Sequence, residues 1–461
     1  MRILTLGWLV AIGAASPAAA QQAIGEWRGT LVAAPGTSLR IAVHIMPAQE
    51  GGGLVGALDS LDQGAIGIGL GAITLTGDRL TFTVPAVGGR FEGQWLAASN
   101  SWAGNWSQGA LPMPLTLSPD TAPAATPLAV PATWTMPDAA ATPLLDSLVA
   151  GRPGISATVG LVDQGKISVR ASTGAKAEAL YEIGSITKIF TALLLADMAA
   201  RGQVKLDDPV ARYLPPGALA AHGNRPITLR DLAGHYSGLP RLPANLAPKD
   251  NGDPYADYSE VELLAFLKAW TPTRTPGAMF EYSNFGAGLL GYALGRAGGK
   301  PYEKLVEERI LKPLGMTATR FVIGAGEAAP HGADGKPVKP WNLAVLVAAG
   351  GLRSTARDMA KFTRGLIAPP AALGPAVALL LRDRKPAGGA HTKIGLGLFT
   401  RATSAGDIAY HDGGTGGSRS SLVIDIARKR GAIVLVNSAA NPGPGPLSAH
   451  LVTGRAIPPR P

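Results

Sequence analysis

The sequence predicts two folded parts: a small all-β barrel or sandwich domain, followed by an α+β domain in which helices flank an antiparallel sheet. Three observations support this division. Residues 21–118 alternate apolar and polar positions over short strands, residues 119–141 are rich in proline and alanine, and strand patterns return at both ends of residues 142–461. Of the 461 residues, 46 % are hydrophobic and 16 % are charged, so each part can bury a core.

Residues 1–20 have the pattern of a secretory signal peptide. A short basic start at Arg2 precedes an apolar stretch over residues 3–14, and three alanines before Gln21 form a small-residue cleavage pattern. The stretch is too short for a membrane span, and Pro17 follows it. We therefore expect a cleaved leader and a periplasmic or secreted protein. No later segment has the apolar length of a membrane span, so we expect no stable membrane insertion.

Residues 21–118 have the features of a small β domain. A turn at Gly77-Asp78 separates two alternating segments, and aromatic residues are paired with glycine in three places, which suits short, bent strands. The segment resembles small lipocalin-like domains, and none of its residues has a catalytic pattern. A ligand-binding cavity and a purely structural module both fit these features. Residues 119–141 are expected to form a semi-extended linker, because prolines disfavour helix and strand.

Residues 142–461 are expected to form a single α+β domain. Strands are expected at residues 155–162, 166–170, 408–410, 421–425 and 432–436, with helices and loops between the second and the third. This order predicts one antiparallel sheet closed by both ends of the segment, with an inserted helical lobe. Ser185 would lie at the junction of the sheet and the lobe, where pockets commonly form.

Ser185 and Lys188 form an S-x-x-K pattern at the start of an apolar helical stretch over residues 189–202. Positions three apart lie on the same side of a helix. The positive end of the helix dipole favours a serine alkoxide, and a lysine one turn away can take the serine proton or assist the base that does. The same tetrapeptide also occurs as a helix cap followed by a surface lysine, so its meaning depends on its surroundings.

A second group, Tyr282-Ser283-Asn284, precedes another apolar helix. A tyrosine acts as a general base only where positive charge lowers its pKa from about 10, and Lys188 could supply that charge. Asn284 offers a donor and an acceptor to a substrate amide and to the lysine ammonium. Helix capping by Ser283 or Asn284 is the structural alternative.

The third group is His411-Asp412-Gly413-Gly414, at the end of a predicted strand. Glycines at this position allow a substrate backbone to lie against the strand edge. An exposed backbone N–H can complete an oxyanion hole with that of Ser185. A surface turn is the structural alternative.

In this order, the three groups resemble the motifs of the penicillin-recognising serine hydrolases. The resemblance is to the class C β-lactamase-like branch, which also contains D-alanyl-D-alanine carboxypeptidases, D-aminopeptidases and esterases. Further similar segments are LDDPV (206–210), HYSGLP (235–240), LKPLGM (311–316) and GGLRS (350–354). The resemblance covers about residues 143–440 and implies a β-lactamase/transpeptidase-like fold.

The resemblance also implies a role for each matched residue. Ser185 would be the nucleophile that forms an acyl-enzyme, Lys188 and Tyr282 would share the proton transfers of acylation, and Tyr282 would activate the water of deacylation. Asn284 would orient the substrate amide. The N–H groups of Ser185 and Gly414 would form the oxyanion hole. No cofactor is implied.

Two positions depart from the pattern of the relatives. His411 stands where many of them have lysine, and with an ordinary pKa near 6.5 it would make activity change between pH 6 and 8 if it supports Tyr282. Asp412 replaces a hydroxyl residue. If its side chain points into the site, it repels a penicillin or C-terminal peptide carboxylate, unless Arg419 offsets its charge. The alternative is that the side chain points away from the site.

We therefore expect a secreted serine hydrolase that cleaves an ester, an amide or a D-amino-acid amide in a small molecule or short peptide. The alternatives are a true β-lactamase, a D-alanyl-D-alanine carboxypeptidase acting on cell-wall peptides, and a covalent β-lactam sensor that deacylates slowly.

The composition argues against several other classes. The chain has no cysteine, and its seven histidines show no metal-ligand spacing, so we expect neither disulfides nor a metal site. Basic residues do not cluster with aromatic ones, so we expect no nucleic-acid binding. The net charge of +10 permits weak association with an anionic cell envelope, although scattered basic residues also serve simply to keep a protein in solution.

Overall fold

The computed structural model divides the chain into two compact units, one on either side of about residue 121. The residues it describes are 22–34, 37–47, 53–61, 65–109, 112–120, 127–219, 225–272, 274–388, 391–440 and 443–457. The predicted signal peptide (1–20) and part of the predicted linker lie outside the described residues. Among the described helices, none is long and apolar enough to cross a membrane.

The first unit is one nine-stranded antiparallel sheet, curled into a half-barrel, in the order β4-β3-β2-β1-β9-β8-β7-β6-β5. Its strands are β1 Gly25–Ala34, β2 Thr37–Pro47, β3 Leu54–Ser60, β4 Ala65–Gly69, β5 Ile73–Thr76, β6 Arg79–Val84, β7 Gly89–Leu96, β8 Ser101–Ser107 and β9 Pro112–Pro119. A short 3-10 turn, Pro85–Val87, joins β6 to β7. The core contains the predicted aromatic residues, with the Trp27 ring packed edge-on against that of Trp102 at 6.3 Å.

A buried charged cluster lies within this first sheet. His44 Nε2 is 3.0 Å from Asp59 Oδ2, and His44 Nδ1 contacts Glu26. Burial lowers the pKa of His44, but hydrogen bonds and charge attraction from the two carboxylates outweigh it and raise that pKa to about 10. His44 is therefore a buried imidazolium at neutral pH.

The second unit contains an eight-stranded antiparallel sheet in the order β11-β10-β19-β18-β17-β16-β15-β14. Its strands are β10 Ala157–Asp163, β11 Lys166–Ala171, β14 Lys385–Pro386, β15 Thr392–Ile394, β16 Phe399–Thr403, β17 Gly406–Gly414, β18 Arg419–Asp425 and β19 Arg430–Val436, and a separate pair is β12 Tyr181–Glu182 with β13 Arg353–Ser354. The β10–β11 hairpin turns at Gln164 and Gly165, which both have positive φ. Because β10 pairs with β19, the two ends of the segment meet in one sheet, as predicted.

Helices cover both faces of this sheet. The α and π helices of the second unit are Ala141–Val149, Thr187–Ala200, Leu229–Ala233, Glu260–Ala269, Asn284–Gly298, Tyr302–Val306, Glu307–Leu311 (π), Lys312–Leu314, Ala356–Ile367, Gly374–Leu381 and Gly445–Thr453. Its 3-10 turns are Gly184–Ile186, Val210–Tyr213 and Ala344–Ala349. The predicted α+β class, with an antiparallel sheet, an inserted helical lobe and a preceding all-β domain, is confirmed.

Side-chain alternation along the central strands separates two apolar layers. Leu422 on β18 packs into the core of the helical lobe, together with helix Thr187–Ala200. Its neighbour Val423 packs on the opposite face, against the helices at the two ends of the unit. This alternation determines which residues of β17 face the candidate site.

Candidate active site

Ser185 and Lys188 are held by the most deeply buried helix of the second unit. Ser185 lies on the 3-10 turn Gly184–Ile186, and Lys188 lies in the first turn of the helix that follows. This helix is apolar on nearly all sides, so Lys188 is buried, with 3 % of its surface exposed. Lys188 Nζ is 3.0 Å from Ser185 Oγ.

Two further oxygen atoms contact the lysine amine. Nζ is 2.9 Å from Asn284 Oδ1 and 2.6 Å from the carbonyl oxygen of Ala349. Burial, reinforced by the charge of Arg241, holds the pKa of Lys188 well below its usual value, which favours the neutral amine. A neutral amine has two N–H donors and one lone pair. Since both oxygen atoms only accept, the lone pair is left facing the hydroxyl of Ser185.

Tyr282 lies beside this pair, immediately before helix Asn284–Gly298. Its ring is 4.9 Å from Lys188 Nζ and 5.0 Å from the guanidinium carbon of Arg241. Burial raises the pKa of Tyr282 to about 12, against the opposing effects of a hydrogen bond with Ser185 and the charge of Arg241. Tyr282 is therefore a phenol at neutral pH. The hydroxyl of Ser283 caps the helix, accepting from Gly286 N at 2.8 Å.

The second sequence group therefore contains both a helix cap and residues of the candidate site. Ser283 has the structural role of a helix cap, while Tyr282 and Asn284 on either side of it contact Lys188.

His411 is buried on the lobe side of β17, opposite Leu422 of β18. Its Nδ1 donates to the carbonyl oxygen of Asp412 at 2.7 Å, and its Nε2 has no partner among the described residues. Burial, with a contribution from Lys188, lowers the pKa of His411 to about 3. The expected change in activity between pH 6 and 8 is therefore wrong as an effect of His411, which stays neutral over that range.

Asp412 faces the other side of the sheet. It pairs with Ser421 across β18, and Ser421 contacts Ser448 of helix Gly445–Thr453 at 2.6 Å. A Cβ placed on Gly445 would lie 3.8 Å from both carboxylate oxygens, so the carboxylate is next to the start of that helix. The side chain is exposed there. Of the two orientations left open by the sequence, the structure has the one that points away from Ser185.

Glycines bring the serine turn and β17 into direct backbone contact. Gly184 has a φ of +50°, and a Cβ on it would lie 2.5 Å from the amide nitrogen of Gly414. A Cβ on Gly413 would lie 2.1 Å from the carbonyl oxygen of Ile183. Side chains at these positions would force the two segments apart, and with them the N–H groups of Ser185 and Gly414.

The same part of β17 is open along one edge. Pairing between β16 and β17 ends at Phe399 and Tyr410, whereas β17 remains paired with β18 as far as Gly414. Among the described residues, therefore, the last four residues of β17 have no strand on the β16 side. An extended substrate backbone can hydrogen-bond to such an edge.

A small, partly open pocket lies next to Ser185 and is lined mainly by apolar side chains. Its lining comprises Ser185, Tyr255, Asn284, Trp341, Leu343, Leu346, Ala349, Gly350, Gly414 and Thr415. The described residues contain no group of three or more His, Asp or Glu side chains arranged to hold a metal ion.

Beneath the cavity, Glu182 joins two parts of its wall. It accepts from Trp341 N at 2.8 Å and from the hydroxyl of Thr415 at 2.9 Å. The hydroxyl of Ser418 also donates to it at 3.4 Å, and the buried Arg353 lies 3.6 Å from it. Nothing in the local sequence pattern marks Glu182 for this position, because these partners are distant in the chain.

Two further residues of the site escaped the sequence interpretation. The His235 ring packs on Tyr282 with the centroids 4.4 Å apart, and its Nδ1 accepts from Ser283 N at 3.1 Å. Arg241, six residues further along the same segment, also lies against the Tyr282 ring. The HYSGLP segment at 235–240 was noted only for its resemblance to relatives, and a lone histidine or arginine in a loop has no spacing that reveals such a role.

This fold and this site are those of a serine hydrolase, and the comparisons with known proteins identify its family. Residues 143–454 match the family described as Beta-lactamase. The chain belongs to this family, the penicillin-recognising serine hydrolases. The predicted resemblance is thus confirmed.

Individual relatives match over shorter regions. The chain is 33 % identical over 188 residues to "D-alanyl-D-alanine-carboxypeptidase/endopeptidase AmpH" of Escherichia coli K12, covering 40 % of this chain and 48 % of the relative. It is 31 % identical over 195 residues to a β-lactamase of the same strain, covering 42 % and 49 %. The chain thus spans about half the length of these curated relatives.

A solved structure supports the fold. The crystal structure of a β-lactamase/D-alanine carboxypeptidase from Pseudomonas syringae aligns with a TM-score of 0.55 and 21 % identity, covering 64 % of this chain and 91 % of that one. At this identity the likeness establishes the fold alone.

Proposed function

We propose that this protein hydrolyses an amide or ester bond through an acyl-enzyme on Ser185. The observation that carries the proposal is the hydrogen bonding of Lys188. Its amine faces Ser185 Oγ at 3.0 Å, while the oxygen atoms of Asn284 and Ala349 occupy its two donors. A buried, neutral amine held in this way is a general base aimed at one hydroxyl.

In acylation, Ser185 Oγ attacks the substrate carbonyl carbon and Lys188 takes its proton. The N–H groups of Ser185 and Gly414 stabilise the oxyanion of the tetrahedral intermediate. Tyr282, a phenol in the resting enzyme, donates its proton to the leaving nitrogen or oxygen as the scissile bond breaks. The acyl-enzyme is then left with the ammonium of Lys188 next to the phenolate of Tyr282.

Deacylation uses the same two groups in reverse. The phenolate of Tyr282 takes a proton from a water molecule, and the resulting hydroxide attacks the acyl carbonyl. When the second tetrahedral intermediate collapses, Ser185 Oγ recovers a proton from Lys188. All three side chains return to their starting protonation states, so protons and charges balance over the cycle.

The preferred substrate is an ester, an amide or a D-amino-acid amide with a compact apolar group near the scissile carbonyl. The support is the cavity beside Ser185, whose walls include Tyr255, Trp341, Leu343 and Leu346.

A β-lactam or a C-terminal D-alanyl peptide is the second candidate substrate. The argument against it was the charge of Asp412, and that argument is wrong because the carboxylate lies on the opposite face of the sheet. The cation considered as its counterweight lies on that opposite face too. Strand alternation places Arg419 there: a Cβ on Gly414 would lie 2.8 Å from its Nη1, and Arg419 donates to the carbonyl oxygen of Thr415 at 2.7 Å.

The test is hydrolysis of four substrates by the purified protein and by Ser185→Ala: a p-nitrophenyl ester, a cephalosporin, a D-Ala-D-Ala peptide and a D-amino-acid amide. Turnover that disappears in Ser185→Ala supports the proposal, and the substrate turned over fastest decides between the two candidates. A burst of acylation with negligible steady-state turnover would identify a covalent sensor instead. Full activity in Ser185→Ala would refute the acyl-enzyme.

We also propose that the protein works outside the cytoplasm, because residues 1–20 have the composition of a cleaved leader. The positive net charge of +10 would favour weak, salt-sensitive contact with anionic envelope polymers. Cell fractionation with an antibody to the folded protein tests the location, and a wholly cytoplasmic distribution would refute it.

A further inference from the structure

The proposed reaction cycle, on which this inference rests, places a phenolate on Tyr282 inside a buried site. A phenolate is stabilised there only if positive charge lies close to its ring, because burial disfavours its charged form. The charged or titratable groups around Tyr282 and Lys188 come from three other segments: His235 with Arg241, Tyr255, and His411 with Asp412, the last from the opposite face of the sheet.

Most of these groups contribute no positive charge. Burial keeps the pKa of His235 well below its usual value, and that of His411 at about 3, so both rings are neutral. Tyr255 is a phenol, and Asp412, where ionised, disfavours the phenolate from across the sheet. In the proposed cycle Lys188 is neutral at rest and becomes an ammonium only together with the phenolate, so its charge is not permanent. Among the described residues around Tyr282, this leaves the guanidinium of Arg241 as the fixed cation.

We propose that Arg241 is a positioning residue that supplies the permanent positive charge of this active site, supporting the neutral amine of Lys188 and the transient phenolate of Tyr282. The guanidinium carbon lies 5.0 Å from the centre of the Tyr282 ring, within the range of cation–π contact. Ionisation spreads negative charge into the ring, so a cation over the ring stabilises the phenolate more than the phenol.

The backbone ties Arg241 to the turn that carries Tyr282. The carbonyl oxygen of Arg241 accepts from Asn284 N at 3.0 Å and from Phe285 N at 3.2 Å, at the start of helix Asn284–Gly298. The side chain is half-buried and forms no ion pair with a carboxylate among the described residues. In contrast, the nearby Arg274 is paired with Glu281 at 2.8 Å. The charge of Arg241 is therefore available to the site.

The same charge acts on Lys188 in the direction the reaction needs. A neighbouring cation disfavours the ammonium form, so Arg241 lowers the pKa of Lys188 and keeps its lone pair available to Ser185. Removing the charge would raise the pKa of Lys188 and that of Tyr282 together. At pH values below the pKa of the base, kcat/KM falls tenfold for each unit by which that pKa rises.

The experiment compares Arg241→Gln, Arg241→Lys and the wild-type protein on a neutral p-nitrophenyl ester from pH 5 to 9. In Arg241→Gln we expect the acidic limb of kcat/KM to move upward by about one pH unit and kcat on the plateau to fall roughly tenfold. Arg241→Lys should restore most of both effects. As a matched control, Arg357→Gln removes an exposed arginine paired with Glu178, and should leave the profile unchanged. Melting temperatures establish that each variant is folded.

An unchanged limb and plateau in Arg241→Gln would overturn the inference. So would a rise in KM confined to esters with an anionic acyl group, because this would make Arg241 a substrate-binding residue. The rate at which a fluorophosphonate labels Ser185 separates this failure from failure of the proposed function. If the wild-type protein is not labelled, the acyl-enzyme proposal fails. If it is labelled, and the acidic limb of the labelling rate lies at the same pH in wild type and in Arg241→Gln, only the inference fails.

A second measurement does not depend on catalysis. The protein is brought to alkaline pH by a rapid pH jump, and phenolate absorbance is recorded before it unfolds. The difference in this absorbance between wild type and Tyr282→Phe measures the ionisation of Tyr282. The same difference measured in the Arg241→Gln background should titrate at higher pH. A titration at the same pH in both backgrounds would overturn the inference even if no substrate of the protein were found.

Discussion

Replacing Gly184 by alanine tests the backbone contact on which the proposed oxyanion hole depends. The new methyl group would meet the amide nitrogen of Gly414 at 2.5 Å and its carbonyl oxygen at 2.8 Å. Both atoms belong to the backbone of a paired strand, so neither can turn away as a side chain would. The serine turn and β17 must therefore separate by about 1 Å to restore ordinary contact.

The expected loss of activity follows from this displacement. Loss of one oxyanion donor lowers kcat by about 100- to 1000-fold, and a 1 Å misplacement of reacting groups costs about 100-fold. We therefore expect kcat of Gly184→Ala to fall at least about 100-fold. Stability should fall as well. At a φ of +50° an alanine costs about 1 kcal/mol, and the clash with the backbone of Gly414 adds roughly 1–3 kcal/mol.

The assay is steady-state hydrolysis of a p-nitrophenyl ester, together with thermal unfolding. Gly202→Ala is the matched control, since Gly202 has a φ of +70° but open space where its Cβ would be. It should lose only the cost of the strained backbone angle, about 1 kcal/mol, and keep its activity. Wild-type kcat in Gly184→Ala would refute the assignment of the hole to these two segments. An equal loss of kcat in Gly202→Ala would show that backbone strain, rather than the contact with Gly414, lowers the activity.

Three further predictions concern single side chains. Lys188→Met should lower kcat/KM by about 10³- to 10⁴-fold on a p-nitrophenyl ester, and an undiminished rate would exclude the amine as the base. Glu182→Gln should lower the free energy of unfolding in urea by about 1–2 kcal/mol, because the buried Arg353 loses one of its two carboxylate neighbours and keeps Glu327 at 3.3 Å; an unchanged midpoint would contradict this. The pKa of His44 is lowered by burial but raised more by Asp59 and Glu26, to about 10, above its unfolded value of 6.5. The stabilisation of the first unit by charged His44 is therefore complete below pH 6.5 and is lost as pH rises through 10. The calorimetric melting temperature should fall over this pH range, and it should fall less steeply in His44→Gln than in the wild-type protein.

Local pattern was sufficient for the parts of the fold that depend on neighbours in the chain. The β10–β11 hairpin lies within a residue or two of the predicted segments, because its register follows from apolar alternation and a two-residue turn. Closure of the sheet by its two ends also followed from the order of strand and helix patterns. The order of Ser185, Tyr282 and His411 was enough to recognise the family, although the pattern contains no distances.

The electrostatic behaviour of the site required the tertiary structure. A pKa near 6.5 was a reasonable expectation for His411 on a strand end, but the packed lobe buries the ring and lowers its pKa to about 3. Arg241 is 41 residues before Tyr282 in the chain, and only the fold brings its guanidinium over that ring. The orientation of Asp412 is an intermediate case. Strand alternation already requires His411 and Asp412 to point to opposite faces of the sheet, so only one of them can face the lobe.

Burial explains why this site would work through an internal transfer of charge. The resting pair is a neutral Lys188 and a neutral Tyr282, since desolvation moves their pKa values in opposite directions, each toward its uncharged form. After acylation the pair is an ammonium beside a phenolate, so the net charge of the pocket has not changed. A pair created inside a low-dielectric pocket is held by its own attraction, which is strong at short range. The role left for Arg241 is to set how readily that pair forms, and this is why its removal should alter the pH profile more than substrate binding.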